Sequence, residues 1–97
     1  LEALRVGYRW ANDRHHRFAI DGMADNAAAF AAAGVRYLAY VEGVAGEGSG
    51  LLDALAAEAS CVVADEYPAF FLPKMISAFA ARCPVRVEAV DSNGVLP

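Results

Sequence analysis

Ninety-seven residues with a formal net charge of −4 and a pI near 4.9 make at most one small domain, and this acidic balance excludes a predominantly DNA-binding surface. The 58% apolar fraction excludes an intrinsically disordered chain. No stretch reaches the ~18 to 20 apolar residues that a bilayer-spanning helix needs, so the expectation is a cytoplasmic protein with no membrane partner.

Residues 1–6 read as the tail of a β-strand, too short and wrongly flanked for a secretory signal. Arg5, Arg9, Arg14 and Arg17 then cluster with His15 and His16. This cluster reads as a solvated helix start, with an anion or nucleic-acid contact as the alternative. Adjacent histidines point to different sides of a helix and are poor joint metal ligands. The spacing predicts one long helix over 12–33, capped by Asn12 or Asp13. Phe18, Met23, Ala27 and Phe30 supply its buried stripe. Gly34 suits the position after the C-cap, where a left-handed backbone is needed. Gly22 lies inside the helix at a cost of roughly 1 kcal/mol relative to Ala, which implies close approach to a sheet or a neighbour.

Residues 35–41 read as a strand and 43–50 as a flexible, glycine-rich loop before a short helix over 51–59. Strand, glycine-rich loop and helix is the context of a phosphate cradle. The spacing Gly46-x-Gly48-x-Gly50 is not that of a nucleotide-binding motif, no Lys-Ser/Thr pair follows, and Glu42 and Glu47 would repel a phosphate. The loop therefore reads as a mobile connector. Residues 60–64 form a nearly all-apolar strand of the kind covered on both faces. Pro68 marks a turn, 70–81 a helix with Pro73 near its first turn, and 85–90 the last strand. Cys61 and Cys83 have no partner at zinc-site spacing and read as reduced thiols.

Strands that alternate with helices imply crossover connections and a parallel sheet. The expected fold is α/β: a Rossmann-like parallel sheet flanked by helices, truncated to about three to four strands and about three helices. Glu42, Asp65, Glu66 and Asp91 fall at the carboxyl ends of strands, the edge at which open α/β sheets bind ligands. Such carboxylates can hold Mg²⁺, although strand ends also need polar, turn-forming residues for their own sake. Tyr67, Phe70, Phe71 and Pro73 form an apolar group beside that edge. Half of it reads as core, and half as a surface for a flat aromatic ligand or another domain.

Several of these segments carry a family resemblance. Asp65-Glu66-Tyr67-Pro68 with the Phe-Phe-Leu-Pro-Lys-Met helix, then residues 84–91 and Gly94-Val95-Leu96-Pro97, resemble the N-terminal α/β domain of deoxyribodipyrimidine photolyases, class II in particular. The segment from Trp10 to Phe18, followed by Gly22-Met23, resembles the family's stretch after its second strand. The resemblance runs over essentially the whole chain in the family's order. At Ser92-Asn93-Gly94 the chain departs from the family's usual Ala-His-Asn.

The resemblance implies that residues 1–97 are part of a single photolyase-type N-terminal domain. The parent would be a lyase of DNA repair that binds a cyclobutane pyrimidine dimer in damaged DNA and splits it with an electron from light-excited, reduced FAD. It places FAD and most of the lesion-binding surface in a C-terminal helical domain, a partner in cis, so that this segment is inactive alone and supplies no catalytic or metal residue. It also implies an antenna chromophore, a deazaflavin or a folate, near the carboxyl edge of the sheet. That assignment is to the region, within which Asp65, Tyr67, Phe70, Asp91 and Asn93 are the candidate cofactor-binding or domain-interface residues. The family's sheet order, 3-2-1-4-5, implies that this chain begins at the end of strand two and lacks the central strand one. The expectation that follows is repair of the sheet by rearrangement, strand swap or homodimerisation, because bare strand edges invite association. The competing readings are a small nucleotide- or flavin-binding module without a DNA role and a cryptochrome-like light sensor.

Overall fold

The computed structural model describes residues 1–92 and 94. In chain order they form β1 (Glu2–Leu4), α1 (Asp13–Ala32), β2 (Ala39–Val41), α2 (Leu51–Ala57), β3 (Cys61–Asp65), α3 (Leu72–Ala80) and β4 (Arg86–Val90). β1 pairs in parallel with β2, from Glu2 opposite Ala39 to Leu4 opposite Val41. β3 pairs in parallel with β4, from Cys61 opposite Arg86 to Asp65 opposite Val90. Each pair is closed by a helical crossover, as parallel strands require. The fold is thus a small α/β arrangement of three helices and two parallel two-stranded sheets among the described residues. It divides into two units, Leu1–Ser49 and Gly50–Pro97, each with one of the sheets. No helix among the described residues is long and apolar enough to cross a membrane.

In the first unit α1 packs on both strands. The Asn12 side chain accepts the His15 N–H at 3.1 Å and caps its start, as expected. At the other end the Val35 N–H reaches the Phe30 carbonyl at 2.9 Å and the Gly34 N–H reaches Ala31 at 3.1 Å. With Gly34 at φ 71°, these are the paired bonds of a Schellman ending, which needs a left-handed residue at that point. The same ending shortens the expected strand: Val35 belongs to the helix cap, so the β2 ladder starts at Ala39 rather than at 35.

The buried stripe of α1 differs from expectation. Met23 is buried, but Phe18 is 83% exposed, Phe30 is 40% exposed and Ala27 is also exposed. Phe18 lies five residues before Met23, which puts it about 140° around the helix. The least exposed row runs through His16, Ala19 and Met23, and Asn26 and Phe30 continue it, though exposed, at alternating steps of three and four. Asn26 Nδ2 donates to Glu2 Oε2 at 2.9 Å, and the Tyr37 hydroxyl donates to the same oxygen at 2.6 Å. Phe30 stacks on Tyr37 with centroids 5.3 Å apart. One face of the helix thus joins β1 to the segment that enters β2.

In the second unit Ala56 and Phe79 are buried. Arg82 binds Asp53 through Nε at 3.0 Å and Nη2 at 3.3 Å, tying α2 to the end of α3. Its guanidinium also lies over the Phe79 ring at 5.3 Å. Pro73 occupies the first turn of α3, where its missing N–H costs no helical bond. β3 alternates in burial, with Val62 and Ala64 partly covered and Val63 60% exposed. The expectation of a strand covered on both faces is therefore corrected: one face of β3 is open.

Gly22 also departs from expectation, since a Cβ built there meets nothing within 4 Å. It is a helix-interior glycine with no close approach to explain it. Gly22→Ala should therefore stabilise the chain by about 0.5–1 kcal/mol in denaturant titration.

Candidate functional site

Two places gather the chemistry-bearing residues, one in each unit. In the first, Glu42 follows β2 and its N–H donates to the Leu4 carbonyl at 2.9 Å, extending the ladder. Its carboxylate is 3% exposed and 3.8 Å from Arg5 Nε. Oε2 accepts the Val6 N–H at 3.1 Å and Oε1 accepts the Gly46 N–H at 2.8 Å. One side chain thus fastens the segment after β1, the end of β2 and the glycine-rich loop. The amides of Val6 and Gly46 hold its carboxyl below the ordinary glutamate value, against the opposing effect of burial, with a smaller contribution from Arg5.

Glu47 does the same within the loop. Its Oε2 accepts the N–H groups of Gly43 at 3.0 Å and Val44 at 3.4 Å. Turns from the Glu47 N–H to Val44 and from the Ser49 N–H to Gly46 complete the lacing. The mobile connector expected here is corrected to a turn held by two carboxylates. The amides of Gly43, Val44 and Gly46, which would face a phosphate in a cradle, already face carboxylate oxygens. Tyr40 packs against this turn so closely that a Cβ on Gly48 would lie 2.8 Å from its ring. The Tyr40 hydroxyl has no hydrogen-bond partner among the described residues. Burial first, then the charges of Glu47 and Glu42, push its pKa up. This arrangement holds a loop in shape.

The second place is the carboxyl end of β3 and β4. The Glu66 N–H donates to the Val90 carbonyl at 2.8 Å and carries the pairing past Asp65. Asp65 accepts the Ser92 hydroxyl, and Asp91 Oδ1 accepts the Gly94 N–H at 3.1 Å. These aspartates join and shape the turns that leave the two strands. Asn93 lies outside the described residues. Between β3 and α3 the aromatic group faces outward: Tyr67 is 38% exposed, Phe70 75% and Phe71 54%. The reading of half this group as core is corrected. Phe70 has φ 61°, a left-handed backbone that costs a side-chain-bearing residue roughly 1–2 kcal/mol.

The structure therefore brings Asp65, Asp91 and Ser92 together and sets Tyr67 and Phe70 on the adjoining turn. No group of three or more His, Cys, Asp or Glu among the described residues is placed to hold a metal ion. Cys61 and Cys83 are free. His16 Nε2 is buried without a hydrogen-bond partner among the described residues. The carboxylate role of Glu42 and Glu47 as acceptors for their own loop escaped the sequence reading. Its available signal was their position around a run of glycines, whose bare amides need acceptors. No known protein family, no curated protein and no solved structure matches the chain.

Two outcomes follow. The Glu42 carboxyl is held below the ordinary glutamate value in the folded chain, so folding favours its ionised form. The stability it contributes is fully present above that ordinary value and is lost as pH falls through the folded value. Glu42→Gln should be less stable than the wild type near neutral pH, and the gap should close on acidification in unfolding curves. Phe70→Gly relieves the left-handed strain while losing little buried surface, for a net gain of up to about 1 kcal/mol in thermal unfolding.

Proposed function

We propose that this chain serves as the N-terminal, antenna-type α/β domain of a photolyase that splits cyclobutane pyrimidine dimers, with a Rossmann-like sheet and no activity alone. One observation carries the reading. A sheet ordered 3-2-1-4-5 pairs strand two with three and strand four with five, each across one helix. The two parallel ladders, β1 with β2 and β3 with β4, follow that pattern. The outward aromatic turn at the carboxyl end of β3 adds support, because such edges are where open α/β sheets hold ligands.

In this reading FAD belongs to a helical domain in cis and supplies the electron for repair. This chain's own part is to hold a deazaflavin or folate antenna. Tyr67 and Phe70 offer exposed rings to a flat chromophore, and Asp65 and Asp91 fix the turns around it. A nucleotide-phosphate module is the weaker reading, since the loop that would cradle phosphate has its amides on Glu42 and Glu47.

The test is the absorption spectrum of the longest natural polypeptide that carries this segment. Flavin bands together with blue-light-dependent loss of pyrimidine dimers from DNA are the expected result. A colourless protein, or one that binds flavin and leaves dimers untouched, overturns the repair function.

A further inference from the structure

Two exposed patches on this chain are opposite in charge and alike in apolar content. The first is the approach to α1 and its opening turns. Residues 5–18 hold Arg5, Arg9, Arg14 and Arg17 against the single acid Asp13. Trp10 is 68% exposed with the Arg9 guanidinium 4.9 Å over its ring, and Phe18 is 83% exposed. Arg14 and Phe18 are four residues apart and share a helix face. The second is the carboxyl edge of β3 and β4, where Asp65, Glu66 and Asp91 adjoin Tyr67, Phe70 and Phe71.

The exposed rings of neither patch are explained by the fold of their own unit. An exposed Phe at φ 61° spends backbone energy to hold its ring outward. Phe18 and Trp10 lie off the α1 face that meets the strands. Exposed aromatics flanked by charge mainly of one sign, with Asp13 the exception in the first patch and Lys74 beside the second, suit a partner of the other sign.

We propose that the partner is a second copy of this chain: the basic, aromatic start of α1 in one copy docks on the acidic, aromatic β3–α3 edge of another. The five rings expose roughly 700 Å² together. One such contact falls in the size range of weak, transient interfaces, below the ~1,200 Å² at which stable ones begin. The two patches differ, so the contact is heterologous, and each copy offers both halves of it. The proposal does not depend on the photolyase reading.

The test is sedimentation equilibrium of the 97-residue chain over a concentration series, with two variants that spare the fold. Arg14→Glu with Arg17→Glu removes the basic half and places acids near a helix start, where they are favourable. Phe70→Gly with Phe71→Ser removes the aromatic half, relieves the positive φ and puts a good capping residue before α3. The wild type should self-associate, more weakly at about 500 mM than at about 50 mM salt. Each variant alone should bind itself at least about tenfold more weakly. An equimolar mixture should form a one-to-one pair and nothing larger, because it retains one intact basic patch and one intact acidic patch. A wild type that stays monomeric throughout, a variant that associates as the wild type does, or a mixture that stays monomeric overturns the proposal.

Discussion

A single buried carboxylate holds the first unit together. The β1–β2 ladder is only three residues long, and a parallel pair of that length has few hydrogen bonds of its own. Glu42 extends it at its carboxyl end, through its backbone N–H on Leu4 and its side chain on Val6 and Gly46. Hydrogen bonds to an ionised oxygen are stronger than those between neutral groups. Burial would make an unmatched carboxylate expensive, but here amides and Arg5 surround it. The loop after β2 takes its shape from this contact, and Tyr40 and Gly48 can pack closely because the loop is held.

The second unit uses its acids in a related way. Asp65 and Asp91 accept hydrogen bonds from residues just beyond β4 and so shape the strand exits. Tyr67, Phe70 and Phe71 stand outward beside these acids, so the surface offered for recognition is both aromatic and acidic. The antenna reading and the self-association reading both draw on this turn. They differ in what covers it, a flat chromophore or the basic helix start of another copy.

Much of the framework was legible in the sequence. Asn12 and Gly34 marked the ends of α1 because capping chemistry is local. Pro73 marked the start of α3 for the same kind of reason, and the alternation of elements implied parallel pairing. What was not legible depended on contacts distant in sequence. Asn26, rather than Phe18, reaches the strands from α1 because it serves Glu2, whereas a hydrophobicity count assigns that role to Phe18. Glu42 and Glu47 read as obstacles to a phosphate, yet their acceptor role depends on Val6, 36 residues before Glu42, and on the fold of the loop itself. Phe70 could not be placed from composition, since only the backbone angle shows that its ring is held outward at a cost.

Native-state amide hydrogen exchange of the wild-type chain tests the Glu42 contact most directly. The Val6 and Gly46 amides lie outside every strand, and unheld loop amides exchange quickly. The account predicts that both are protected to the same degree as the β1–β2 ladder amides, and that all lose protection together as pH falls below the folded Glu42 value, after correction for intrinsic rates. Exchange of Val6 and Gly46 at unprotected rates near neutral pH, while the ladder stays protected, would contradict it.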